Sequence, residues 1–526
     1  MDLSFTRGGL GLQLSWRARS SMRMLSVTAP TPPEPCPAPF NMAHYVLSAG
    51  ATTPDKIALQ ILRASGAERW SYARLIAAVR GTGQGLLQSG LQPGDRVLMR
   101  LGNTVDFPVA YLGAIAAGLV PVPTSTQLTQ GEITRIAHEV TPSLVLGADG
   151  VALPDYETPV IGQAALHAMQ DLPPCDWHMG SPDRAGYIIY TSGSGGSPRA
   201  VVHAHRAIWA RRMMWDGWYG LTPDDRMLHA GAFNWTYTLG TGLMDPWAIG
   251  ATALIPDAGA PLGLMLKRFD ATIFAAVPGV YRQLLKDGRA LDLPRLRHGL
   301  SAGEKLPEIT RNAWRDATGR EIYEALGMSE CSTYISASPA RPAPAGSAGF
   351  PQQGRQVAIL DDEGAPVPRG AEGMLAIHRS DPGLMLGYLQ DGAPALPLLG
   401  DWFVTGDRGQ MAESDAISYT GRNDDMMNAG GFRVSPLEVE RVLVSHPAIH
   451  DIACAEVSVR EGVSVIAAFY TADELLEEEA LQAFAAERLA RYKQPRLYRR
   501  CESLPRGANG KLSRRALRDS FKVSQA

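Results

Sequence analysis

Apolar and polar positions follow two different rhythms along this chain. Up to about residue 420, short apolar runs read as strands: RVLMRL (96–101), SLVLGA (143–148), GYIIYT (186–191), ATALIP (251–256) and ATIFAAVP (271–278). Between them, DFPVAYLGAIAAGLV (106–120), LGLMLKRF (262–269) and YRQLLKDG (281–288) carry helical spacing, and PVPT (121–124) is extended. Strands alternating with helices predict an α/β fold, a large N-terminal domain of mainly parallel sheets covered by helices. Near residue 420 the rhythm changes. SPLEVERVLVSHP (435–447) predicts a helix, DIACAEVSV (451–459) and VSVIAAFYT (463–471) two strands, and ELLEEEALQAFAAERLARYKQP (474–495) a long helix. This is a small C-terminal α+β domain, and the expected boundary lies near GRNDD (421–425). The expected layout is 40–422 for the large domain and 423–526 for the small one.

Residues 1–39 stand apart. Arg7, Arg17, Arg19 and Arg23 face only Asp2, so residues 1–24 read as a leader or an over-called start. TAPTPPEPCPAP (28–39) is expected to be a linker without packed structure. The rest of the composition narrows the function. Fifty Lys+Arg against 53 Asp+Glu gives a charge of -3, so no global basic excess drives nucleic-acid binding. Apolar runs are too short for a membrane span. Cys36, Cys175, Cys331, Cys454 and Cys501 are scattered, which predicts reduced thiols and a cytoplasmic location.

The most informative segment is YIIYTSGSGGSPRAVVHAH (187–205). An apolar strand enters Thr191, Ser192, Gly193, Ser194, Gly195 and Gly196. Such glycines let backbone N–H groups converge on an anion, and the hydroxyls add donors, one of which could ligate magnesium. Without GK[ST] it is not a Walker A loop. The segment resembles the phosphate loop of the adenylate-forming superfamily, usually YTSGSTGxPKGV. Further matches follow in the same order: SAGEKLP (301–307), YEALGMSE (323–330), MLGYL (385–389), WFVTGDRG (402–409), GRNDDMMNAGGFRVSPLEVE (421–440) and LPRGANGKLSRRAL (504–517). The resemblance spans roughly 40–520 and is strongest to aryl- and medium-chain acyl-CoA ligases.

It implies ATP, Mg2+ and CoA as reaction partners of a small carboxylic acid. Glu330 is implied as the magnesium carboxylate, with Thr191 near it, and Ser329 as a hydroxyl for the α-phosphate. Asp407 would take both ribose hydroxyls, because an ionised carboxylate only accepts. Gly303, Glu304, Lys305 and Leu326 would lie along adenine, and Arg422 and Arg433 near ribose and phosphates. Lys511 would bridge carboxylate and phosphate, Asp424 would be the hinge, and Gly430 and Gly431 would face the CoA tunnel. Two positions depart from the pattern: Gly195 replaces the loop threonine, and Arg199 the lysine of PKG. His203 and His205 read as structural, since the chemistry needs no imidazole.

GAFNWTYTLGTGLMDPWAIGATALI (231–255) resembles the acyl-pocket region. Phe233, Asn234, Trp235, Tyr237, Gly240, Ala276, Val277, Ala302, Gly327 and Tyr334 are the candidate lining, with Gly327 expected to open the floor. Such an apolar, aromatic lining predicts a medium-chain, alicyclic or aromatic acid. The resulting expectation is an AMP-forming acid:CoA ligase, monomeric or homodimeric. A stand-alone adenylation enzyme loading a carrier protein, or a non-catalytic acyl-adenylate binder, are the alternatives.

Overall fold

The computed structural model describes residues 24–28, 31–191, 198–286, 288–423, 425–429, 432–460, 463–489, 491–507 and 511–523. A nine-stranded sheet forms the centre of the large domain. Ile57–Arg63, Thr252–Pro256, Arg226–His229, Ile273–Ala276, His298–Ala302 and Ile322–Met328 run parallel, in that spatial order. Ser332–Ser336 and Phe350–Pro351 extend it antiparallel, so the chain reverses immediately after the turn carrying Ser329 and Glu330. A second, all-parallel sheet comprises Val120–Pro123, Arg96–Arg100, Leu144–Gly147 and Val160–Gly162. The helix Asp106–Ala116 is buried on every face, as its nearly unbroken apolar sequence requires. Its one charge, Asp106, accepts from Gln163 at 3.1 Å and Gln170 at 2.8 Å.

Two antiparallel sheets complete the domain. Ala185–Thr191, Arg199–Ala204, Gly387–Gln390 and Ala393–Ala395 form one; Val357–Leu360, Glu372–His378, Trp402–Met411 and Ile417–Arg422 form the other. Residues 1–23 of the expected leader lie outside the described residues, and the expectation of an unpacked linker is corrected. Residues 24–28 are docked along the second of these sheets, with Ser26 fully buried and its N–H donating to Val367 at 2.7 Å. The proline-rich stretch is also docked: the Trp209 indole N–H donates to the Glu34 carbonyl at 2.9 Å.

In the small domain Asp451–Arg460 pairs antiparallel with Val463–Thr471, and Leu497–Arg500 adds in parallel. Pro436–Leu443, Glu478–Ala486 and Arg514–Val523 are its helices. The long helix expected over 474–495 is therefore much shorter. Leu475 is exposed, and a tighter turn at Arg491–Lys493 follows.

Candidate active site

Strands Ala185–Thr191 and Arg199–Ala204 pair so that Thr191 lies opposite Arg199 at the mouth of the glycine-rich loop. Ser192, Gly193, Ser194, Gly195 and Gly196 lie outside the described residues. At the mouth, the Thr191 hydroxyl is buried with no partner among the described residues. Arg199 is placed by two groups of the large domain. Its guanidinium stands 3.6 Å from a Glu330 carboxylate oxygen and 3.9 Å over the Tyr388 ring. Tyr388 donates its O–H to the same oxygen at 2.8 Å. Burial, and then the adjacent carboxylate, push the Tyr388 phenol well up, so it remains a donor. Glu330 is thus a buried, oriented carboxylate held by an aromatic hydroxyl and a cation.

A second group of charges is made by Asp407, Arg422 and Lys511. Asp407 sits directly across the strand pair from Arg422, which reaches it at 3.5 Å. Lys511 belongs to the small domain, where Arg506 and Leu512 form an antiparallel bridge and the Gly507 N–H donates to the Lys511 carbonyl at 2.8 Å. Burial holds the Lys511 ammonium below the ordinary lysine range; Arg422 adds to the depression, while Asp407, Glu304 and Glu330 oppose it. The candidate ribose, adenine-side and metal positions thus all lie within electrostatic reach of one ammonium. Arg506 anchors this segment: it bonds Glu304 of the large domain and Asp451 of the small one, each at 3.0 Å. Lys305 turns elsewhere. Burial lowers its ammonium, Arg441 adds to this, and Glu324 opposes it. Glu324 itself is bonded to the Leu306 N–H and Arg311. Asp424, Gly430 and Gly431 lie outside the described residues, as does the side chain of Arg433.

The acid-pocket candidates divide. Gly303, at φ +98°, lies against Trp235 and Val277: a Cβ there would come within 3.2 Å of the indole. Trp235 meets Tyr237 edge-on at 5.4 Å, and both pack in one cluster with Ala302. Asn234 is half-buried on the same segment. Three expectations are corrected. Phe233 points into the core against Phe107. Ala276 faces Tyr281 and Trp314, opposite to Ala275 and Ala302, because successive strand residues alternate. Tyr334 belongs to the core beneath the antiparallel sheet. Gly327 also has a different reason to be glycine. A Cβ would stand 2.6 Å from the Thr333 Cα and 2.7 Å from the Ser332 carbonyl, so it permits close strand approach instead of opening a floor. Leu326 is half-buried beside that irregularity.

A profile describing the AMP-binding enzyme matches residues 47–389, and one for the AMP-binding enzyme C-terminal domain matches 438–511. The chain belongs to the AMP-binding enzyme family. This AMP-binding enzyme is 30% identical to a benzoate–CoA ligase of Thauera aromatica over 90% of this chain and 92% of the relative. It is 29% identical to the human mitochondrial acyl-coenzyme A synthetase ACSM2A, over 92% and 91% of the two chains. Among solved structures, a benzoate CoA ligase from Burkholderia xenovorans LB400 matches with TM-score 0.81 and 27% identity, over 91% of this chain and all of that one (100%).

In this AMP-binding enzyme, several residues with no sequence-assigned role enter the site. Tyr388 stands in the MLGYL match and Arg506 in LPRGANGKL, so the motifs contained them without giving them work. Arg211 had no such signal. It is buried, with Asp245 accepting from its Nε at 2.8 Å and its Nη2 at 2.6 Å. Tyr219 also donates to Asp245, at 2.7 Å. Any Cβ at Gly240 would overlap the guanidinium, so glycine is what lets Arg211 through to Ser332. Larger but unrelated is a cavity of about 270 Å³ lined by Arg96, His178 and Arg184, which touches none of the candidate site residues.

Proposed function

We propose that the protein is an AMP-forming acid:CoA ligase acting on a carboxylic acid, with an aromatic or alicyclic acid favoured. In the first half-reaction a carboxylate oxygen bonds to the α-phosphorus of ATP. The α–β phosphoanhydride bond breaks, and pyrophosphate leaves with the electron pair. In the second, the CoA thiol loses its proton and its sulfur bonds to the acyl carbon, expelling AMP. The observation that carries this reading is that the carboxylates of Asp407, Glu304 and Glu330 all act electrostatically on the half-buried Lys511. Two anions must meet in the first step, so a fixed cation where charge accumulates is the main requirement. Asp407 suits the ribose hydroxyls, and Ser329 the α-phosphate. The benzoate- and acyl-CoA-forming relatives support the choice of acid and acceptor.

Magnesium fits the donors present. Glu330 offers an oriented carboxylate and Thr191 a buried hydroxyl without a partner among the described residues. When bound, the ion neutralises phosphate charge. Arg199 and Tyr388 orient Glu330 for it. Asp424 is assigned the hinge, and Gly430 and Gly431 the approach of the thiol. No helix among the described residues is long and apolar enough to cross a membrane. A cytosolic monomer or homodimer completes the reading. The test is a panel of carboxylic acids assayed for ATP-dependent pyrophosphate release, with and without CoA, and mass spectrometry of the product. Acyl-CoA is expected; no pyrophosphate release with any acid would overturn the proposal.

A further inference from the structure

Beside Ser329 the structure holds a cavity of only about 20 Å³, lined by Tyr187, His203, Arg211, Thr236, Ser329 and Ser332 among others. That is room for one oxygen-sized group, not for an acid. The cavity lies between the segment following Trp235 and the turn carrying Ser329 and Glu330.

Its polar atoms are unusually specific. His203 is 2% exposed and stacks on Tyr187 at 4.8 Å. Its Nε2 is 2.7 Å from the Ser329 carbonyl. A carbonyl only accepts, so Nε2 carries the hydrogen and Nδ1 presents a lone pair. Nδ1 is buried and has no partner among the described residues. Burial brings the imidazole down to about 4, so it stays neutral. Arg211 supplies the opposite polarity. Of its five N–H groups, those on Nε and Nη2 are taken by Asp245, Tyr219 and Thr241, and Nη1 donates one to Ser332. One Nη1 hydrogen is left. Ser332 is held at φ +65°, a backbone region serine rarely enters, and this puts its hydroxyl on the guanidinium. A buried acceptor, a buried donor and a strained residue around one oxygen-sized space form a built site.

We infer that this niche receives a hydroxyl group carried by the acid, which donates to His203 Nδ1 and accepts from Arg211 Nη1. The inference rests on the ligase reading and names its substrate class: a hydroxy-substituted acid. A second carboxylate would set its lone pairs against Nδ1. An ammonium would meet the guanidinium charge, and a hydrogen or methyl would leave both groups unpaired. A site built to bond a hydroxyl discriminates strongly against the analogue lacking it.

The test compares benzoate and cyclohexanecarboxylate with their ring-hydroxylated counterparts. The full chain is assayed by kcat/KM for acyl-CoA formation and by calorimetric Kd for each acid. At least one hydroxylated acid should exceed its parent tenfold or more in both readouts. His203→Phe should collapse that ratio toward one, and Ser332→Ala, a milder change should the first not fold, should reduce it severalfold. Turnover with no hydroxyl preference at any ring position, as for a niche that holds water alone, would overturn the inference and leave the ligase reading standing. So would a preference untouched by both substitutions. A preference in binding without turnover of any acid would keep the niche and remove the ligase reading.

Discussion

The two ends of the candidate site are built on opposite principles. Around Lys511 the charged groups come from distant segments and two domains, and the ion pair that joins the domains remains partly open to water: Arg506 is 25% exposed and its partner Glu304 19%. Around Arg211 the charges lie within the large domain and are shut away, the Arg211 and Asp245 side chains being 7% and 1% exposed. Charges that stay near water cost little to separate, so the first group can be assembled and dismantled during a reaction cycle. Charges buried as a pair cannot be parted cheaply, so the second group is fixed in advance. In the proposed ligase, the moving end handles nucleotide and thiol while the fixed end recognises the acid.

The sharpest way to break this contrast is at Arg211. Arg211→Met leaves Asp245 buried without its cation, and removing one partner of such a pair costs roughly 3–5 kcal/mol. Chemical denaturation should show that loss, and the double variant with Asp245→Asn should recover much of it. A single variant as stable as wild type would mean that Arg211 is not preorganised by the pair.

Lys511→Ala should instead leave folding nearly unchanged and cut acyl-adenylate formation a hundredfold or more, about 3 kcal/mol of charge stabilisation. Thioester formation from supplied acyl-AMP should largely survive. The ammonium must be protonated to act. Because burial lowers its pKa, wild-type adenylation should fall with rising pH earlier than an ordinary lysine would dictate. An alkaline limb that is unchanged in Lys511→Ala would remove the assignment.

The same contrast explains what could be read from the chain. Motifs list the moving end because phosphate, ribose and carboxylate chemistry fix residue types at short spacings; Glu330, Asp407 and Lys511 each sit inside such a string. The fixed end is a packing property. Arg211 and Arg212 are neighbours in sequence, yet one is buried and the other only half-buried, and nothing local separates them. The partner Asp245 is 34 residues away. The segment Thr238–Met244 that passes Arg211 is π-helical, a form that apolar spacing does not announce. Similarly, ATIFAAVP is apolar on both faces, so no alternation tells Ala275 from Ala276. The strand runs themselves were legible because buried parallel strands are continuous apolar segments. The docking of residues 24–28 was not, since so few residues carry no period.

Gly327 offers a test of intermediate size. An added methyl would meet the backbone of the adjacent strand, so Gly327→Ala should cost about 1–3 kcal/mol of stability. Activity toward small and large acids should fall together. A selective loss of large acids, with stability kept, would restore Gly327 as a pocket floor and place part of the fixed end elsewhere.

The smallest effect is expected at Arg506, and it probes the moving end most directly. Arg506 ties the segment leading to Lys511 to Glu304 on one side and to Asp451 on the other, and Asp451 is also reached by Arg282 at 3.5 Å. Each of these pairs is partly exposed, so water screens it and its contribution is at most about 1 kcal/mol. Arg506→Gln should therefore slow acyl-adenylate formation by about fivefold or less, through poorer placement of Lys511. Salt should do much the same to the wild type, because exposed pairs are screened at high ionic strength. In the variant the salt effect should be smaller, since the pairs are already gone. Thioester formation from supplied acyl-AMP should not slow, because the proposed swing of the small domain takes Arg506 away from Glu304 in any case. An equal loss in both half-reactions, or a salt response identical to that of the wild type, would show that Arg506 steadies the fold and not the placement of Lys511. The contrast between a fixed and a movable end would then rest on Lys511 alone.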